Sequence, residues 1–515
     1  MSQNAHVFLT TMCLSVAIYI IQTYAIDKGT YLKHREAILN KERMEITGGE
    51  IALSADESKV NQILMTFKIK EIEYGKQNNL FPPAMHFFKA KPLIEKSDVF
   101  RIIKAMPKGA ALHLHDVSLC DIDWLIKNAS YLPHVYVCQE EGASMRLHYF
   151  DKPATDCYWT PLKDWRSKYG KDVVDQWLLG NMTLLVDDPV KAYPNIDAVW
   201  KKFLDTLGVA DGLIFYAPIY KAYYYQALQE FYDDNVQYIE VRTLLSNVYE
   251  LNGTIHDKEW VLKAYIDTLH QFMKDHPDFS GSKTIYSNTR FIEPSAVQDD
   301  INLSIKFRNK YPDHFAGYDL VGQEDPGFPL TYYLDQLLSP SQMSPPVDLP
   351  YFFHAGETDW YGTAVDINII DALLLNTSRI GHGYAINKHP EALRMARESN
   401  TPIEVNPISN QVLGLVTDLR NHPASSLMGE GFPMVISSDD PGVWGARALS
   451  YDFYEAFMGL GGEFADLKTL KKLAIDSLHY SAMNLAEKQD AMRLWQKKWD
   501  MFIQSMLQEY GNLIK

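Results

Sequence analysis

Positive charge is scarce in this 515-residue chain: 49 Lys and Arg stand against 65 Asp and Glu, a formal net charge of −16 at pH 7. That balance argues against a nucleic-acid partner, because such binders carry a basic footprint. It suits a small neutral or cationic ligand better. Cysteine is rarer still, with four residues. Internal repeats and low-complexity tracts are absent, and beyond the N-terminus no apolar run is long enough to span a bilayer. What is present is globular: 46% hydrophobic and 22% charged residues, with 31 Tyr and 10 Trp. The length exceeds one ordinary core and suits a large domain with additions.

The start reads as an address. "HVFLTTMCLSVAIYIIQTYAID" is apolar and ends in small or polar residues, with Thr23 and Ala25 at the −3 and −1 positions of a signal-peptidase site. Residues 1–25 are therefore expected to be a signal peptide and the protein to be secreted. The stretch "MSQNAH" lacks Lys and Arg, so an uncleaved anchor is the competing reading. Asn128, Asn181, Asn252, Asn302 and Asn376 each open an N-x-S/T sequon and are candidate glycosylation sites. Cys13 would leave with the leader. Cys138 and Cys157 flank a polar, aromatic segment and are expected to pair in an oxidising compartment. Cys120 is left over, as a buried free thiol.

Residues 26–105 read as helical. Val60, Ile63, Leu64 and Phe67 follow the i, i+3, i+4, i+7 pattern, either packing on their own domain or building a dimer. From 106 onward, eight strand-like runs alternate with helical stretches. They are 109–115, 235–242, 283–292, 315–322, 349–357, 378–384, 401–407 and 432–440. Parallel strands need long crossovers, so this alternation predicts a (β/α)8 TIM-type barrel. It begins at 106–126, is interrupted by an inserted, disulfide-stapled subdomain at 127–185, and resumes through 186–515 with C-terminal helices.

Chemistry in such a barrel gathers at the C-terminal ends of the strands. Those ends carry His113 and His115 in "HLH", Gly322, His354 and Glu357 in "HAGE", His382 in "GHGY", Asn406, and Asp439 and Asp440 in "SSDD". Alternate strand residues share a face, so His113 and His115 point the same way. Singly these motifs are weak; as a series, one per strand end, they are strong. Three histidines and a carboxylate (His113, His115, His354, Asp439) suit Zn2+, which lowers the pKa of a bound water to about 7. Glu357 is free to carry protons, and His382 can accept a hydrogen bond or a proton.

The series resembles the adenosine deaminase branch of the metal-dependent amidohydrolases, and more closely the secreted adenosine deaminase growth factors. "MPKGAALHLH", "DNVQYIEVR", "GYDLVGQED", "FFHAGET", "RIGHGYA", "IEVNPISN" and "ISSDDPGVWG" carry the resemblance over about 100–490. It implies hydrolytic deamination of adenosine and 2′-deoxyadenosine by a secreted homodimer holding one Zn2+ per subunit. Glu357 would give a proton to purine N1, and His382 would serve the attacking water as base and electrostatic partner. Asp440 would contact the N7 edge, the Gly322 backbone the N3 side, and Asp116 the ribose hydroxyls. The segment "WKKFLDTL" (200–207), with Trp200 and Phe203, would cover the nucleoside. One position departs from the pattern: Ser287-Asn288-Thr289 stands where a Ser-Asp-His-like sequence is expected, which puts substrate binding at Thr289 in question.

Two other readings compete. One is an amidohydrolase acting on another aminopurine. The other is a growth factor that has lost catalysis and acts through a cell-surface receptor or glycosaminoglycan; the complete ligand set weighs against it. Polynucleotide editing is not suggested, because the H-x-E…P-C-x-x-C signature is missing.

Overall fold

Eight buried parallel strands organise the chain in this computed structural model, which describes residues 27–513; the expected leader at 1–25, with Cys13, lies outside the described residues. The strands are β1 (Gly109–His115), β2 (Val236–Thr243), β3 (Gly281–Thr289), β4 (Phe315–Val321), β5 (His354–Ala355), β6 (Ile380–His382), β7 (Ile403–Val405) and β8 (Met434–Ile436). β1 to β4 pair in chain order as one sheet, and β5 to β8 as another. Bridges Tyr318–Tyr351 and Leu114–Asp439 join the two sheets at both seams. The result is the expected closed (β/α)8 barrel. Helices cover its outer surface, which is why the strands read as nearly unbroken apolar runs.

The second sheet is shorter than the sequence runs imply. Runs of seven to nine residues (349–357, 378–384, 401–407, 432–440) contain only two or three ladder residues each. β5 and β6 keep His354 and His382 within the ladder, while β7 and β8 end just before Asn406 and Ser437. His382 and Asp439 both adopt φ +59°, a left-handed conformation that costs an ordinary residue about 1–3 kcal/mol and clusters at functional sites. Close packing adds a second constraint. A Cβ on Gly381 would stand 3.2 Å from His113 Cε1 and 3.0 Å from His354 Cα.

Between β1 and β2 the chain builds a small antiparallel sheet from Val135–Cys138, Arg146–Tyr149 and Thr160–Pro161. Cys138 and Cys157 are disulfide-bonded beside it. The helix Ile196–Ile214 lies directly on this sheet; a Cβ on Gly212 would fall 1.6 Å from the Leu147 carbonyl oxygen. Ahead of the barrel, helix Ala55–Asn78 opens with a Ser54–Glu57 capping box and buries Val60, Ile63 and Leu64, while Phe67 is half-buried. Lys68 is anchored in the same contact, donating to the Phe457 and Ala465 carbonyls. Helix Lys28–Glu45, by contrast, buries nothing and exposes Tyr31, Leu32, Ile38 and Met44.

Candidate active site

Four imidazoles and one carboxylate converge at the C-terminal mouth of the barrel. His113 and His115 arrive from β1, His354 from β5, His382 from β6, and Asp439 three residues past β8. Ring centroids lie 4.5 Å apart for His113–His354, 4.8 Å for His113–His382 and 5.3 Å for His115–His354. Asp439 Oδ1 stands 3.1 Å from His115 Nε2 and 3.4 Å from His113 Nε2. Two overlapping triads have the spacing a metal ion needs: His113, His354, His382 and His113, His115, Asp439. His113 Nε2 is buried without a hydrogen-bond partner, as expected of a nitrogen whose lone pair is meant for a cation. The donor set therefore fits a divalent metal.

The other ring nitrogens are committed. His113 Nδ1 meets Glu404 Oε2 at 2.6 Å, and His354 Nδ1 meets Asp319 Oδ2 at 2.7 Å. Each pairing fixes the tautomer and turns Nε2 to the centre. Arg242 joins these carboxylates, 2.7 Å from both Asp319 and Glu404, and Arg379 joins Glu404 to Glu240. Burial opposes ionisation here, yet Arg242 and Arg379 hold Glu404 well below the usual carboxylate range. His354 and Arg242 do the same for Asp319. Burial depresses His354 itself to about 3, so it stays neutral, as a metal ligand must.

His382 is held by a different chain. Ala424 N–H donates to His422 Nδ1, which leaves the neutral His422 proton on Nε2, facing Asn410 Oδ1 at 2.9 Å. The Asn410 amide then donates to His382 Nδ1 at 2.9 Å. His382 accordingly presents Nε2–H to the site, 3.5 Å from Asp439 Oδ2 and 3.6 Å from Glu357 Oε1. Burial pushes its pKa well down. Glu357 is pushed well up by burial and then by Asp439 and Glu324. Its backbone is clasped by Glu324, which accepts the Gly356 and Glu357 N–H groups. Asp439 stays well below the usual range because His113, His115 and His382 outweigh its burial, whereas burial and the Asp439 charge raise Asp440.

Above this floor lies a cavity of about 280 Å³. His115, Asp116, Trp200, Phe203, Thr289, Gly322, His354, Glu357, His382, Asp439 and Asp440 all line it; His113 lies beneath. Asp116 Oδ2 accepts from Thr243 and Tyr265, and Ser118 donates to Asp440. Away from the mouth, Asn128, Asn252, Asn302 and Asn376 are exposed, while Asn181 is half-buried. Cys120 is buried and reduced, and burial raises its thiol pKa far above normal. Asp319, Glu404, Asn410 and His422 were not anticipated from sequence. The usable signal was a carboxylate inside an apolar strand, in "GYDLVG" and "IEVNP", since a buried charge demands a partner. Asn410 and His422 sit in irregular segments that give no such signal.

A closed barrel with a histidine–carboxylate cluster at its mouth defines a metal-dependent hydrolase of the deaminase type. The adenosine deaminase family profile matches residues 186–496, and the adenosine/AMP deaminase N-terminal profile matches 8–103. The chain is 48% identical to human adenosine deaminase 2 over 474 residues, covering 91% of this chain and 92% of that one. It is 47% identical to zebrafish (Danio rerio) adenosine deaminase 2-A, covering 92% and 93%. Identity to the adenosine deaminase of Phlebotomus duboscqi is 42%, covering 91% and 90%. Among solved structures, an Arabidopsis N6-mAMP deaminase superposes with TM-score 0.55 at 18% identity, covering 77% of this chain and 99% of that one. A zinc-bound amidohydrolase from Burkholderia ambifaria gives 0.54 at 16%, covering 79% and 94%. This protein belongs to the adenosine deaminase family.

Proposed function

We propose that the chain is a secreted, zinc-dependent deaminase that hydrolyses adenosine and 2′-deoxyadenosine to inosine and deoxyinosine with release of ammonia. The observation that carries this reading is the convergence of His113, His115, His354, His382 and Asp439 with Glu357 under one cavity. The relatives named as adenosine deaminases cover nearly the whole chain, which supports adenosine as substrate. His113, His115, His354 and Asp439 would hold zinc, which when bound supplies an activated water.

The chain's own groups do the rest. Glu357 gives a proton to purine N1 and makes C6 electrophilic. His382 holds the attacking oxygen through Nε2–H, the electrostatic part of its expected role; acting as a base would require the Asn410 amide to turn over. Asp440 contacts N7, the Gly322 backbone the N3 side, and Asp116 a sugar hydroxyl, while Trp200 and Phe203 exclude water. Thr289 contributes a small side chain to the sugar end. Incubating the purified protein with adenosine tests the reading: a spectral shift to inosine supports it. Turnover of adenine or guanosine without adenosine would move the reading to another aminopurine.

Residues 1–25 serve as the leader, and the exposed apolar side chains of helix Lys28–Glu45 favour a homodimer built by the 26–105 segment. Glycans would occupy sequons such as Asn252 and Asn302, whose side chains are exposed. The Cys138–Cys157 disulfide agrees with an oxidising compartment. Among the described residues, no helix is long and apolar enough to cross a membrane.

A further inference from the structure

The lid helix Ile196–Ile214 turns one stripe toward the cavity: Trp200, Phe203, Leu204, Leu207, Gly208 and Asp211. Five of these offer no hydrogen-bond acceptor in their side chains. The sixth is a carboxyl on an otherwise apolar face. Asp211 is half-buried overall, but its Oδ1 is sealed from solvent and, among the described residues, has no hydrogen-bond partner. Burial, and then the nearby Asp116, lift its pKa to about 7. A stranded carboxyl is costly unless something arrives to satisfy it, and nothing in the fold does.

Its neighbour explains the vacancy. Asp116 already spends Oδ2 on Thr243 and Tyr265, so it has one oxygen left for a sugar. The far wall carries Thr289, a short side chain where the family resemblance calls for a histidine. A nucleoside placed with its base over Glu357 and His382 would have more hydroxyls than Asp116 alone can accept. We infer that Asp211 is a specificity-determining residue that accepts a hydrogen bond from a sugar hydroxyl of the nucleoside, sharing with Asp116 the work of reading the ribose. This inference rests on the nucleoside reading above.

Asp211→Ala and the gentler Asp211→Asn would be assayed with adenosine and with its 2′-, 3′- and 5′-deoxy analogues, beside the unsubstituted protein. For adenosine, Asp211→Ala should raise KM about 10- to 100-fold, the scale of a lost hydrogen bond to a carboxylate, with kcat within about threefold. Asp211→Asn, which keeps an acceptor oxygen, should fall between. For the one deoxy analogue that lacks the partner hydroxyl, the KM penalty should disappear. An equal penalty with all three analogues, a loss confined to kcat, or no penalty would overturn the inference. Failure of the unsubstituted protein to act on adenosine would instead overturn the proposed function, so the two failures are distinguishable.

Discussion

The two halves of the barrel are built differently. β1 to β4 form ladders of seven to nine residues, whereas β5 to β8 pair over only two or three. Yet the short-laddered half supplies His354, Glu357, His382 and Asp439. Regular pairing satisfies backbone groups cheaply but leaves no freedom in where a side chain points. Departing from it, with His382 and Asp439 at φ +59°, aims side chains at a common centre. The lost ladder bonds are replaced by side chains, as when Glu324 accepts two N–H groups of the HAGE turn. The long-laddered half is mainly frame, although β1 also contributes His113 and His115, and Arg242 and Arg379 tie it to the other half through the interior.

The largest expected effect lies in the irregular half. Glu357→Gln should lower kcat roughly 10³-fold or more, toward the upper end of general acid contributions. Bound metal, by elemental analysis, and melting temperature should stay near the unsubstituted values. Cutting the tie should be felt as stability instead. Arg379→Met would strand Glu240 as a buried charge, leave Glu404 with Arg242 alone, and cost about 3–5 kcal/mol, read from denaturant unfolding. A gentler cut, Asp319→Asn, should leave the barrel folded. It should lower zinc affinity about 10- to 100-fold, because His354 loses its anchoring carboxylate; competition with a chromogenic chelator measures this.

Effects should shrink with distance from the irregular half. Trp200→Ala, on the lid helix, should raise KM for adenosine about tenfold with a smaller change in kcat, the signature of lost ground-state binding. Replacing both Cys138 and Cys157 by Ala should lower the stability of the small sheet by about 2–4 kcal/mol. Turnover should change less than about threefold, since the residues of that sheet do not line the cavity. A cysteine variant that lost metal would show that the division between frame and chemistry is wrong.

The same division governs what the sequence could show. HLH, HAGE, GHGY and SSDD were legible because polar residues at the ends of apolar runs have few structural explanations, and eight such runs with helical connections define the barrel. Ladder lengths in the second half were not legible: 349–357 looks like one strand, yet only His354 and Ala355 pair, and the backbone turns left-handed at Gly356. Nor were the carboxylates behind the histidines. Glu404 stands 162 residues from Arg242, so each reads as an isolated charge in a strand until the fold brings them together. Asp211 was hidden for the opposite reason, since a carboxyl on an amphipathic helix usually faces water. The disulfide was readable because the two cysteines bracket a short segment.

The central claim is that the converging imidazoles hold a catalytic metal. Stripping the purified protein with a chelator and titrating zinc back, with adenosine turnover followed at each step, tests it most directly. The account predicts loss of activity on stripping and a linear return that saturates at one zinc per chain. Full activity in protein shown to be metal-free would contradict it.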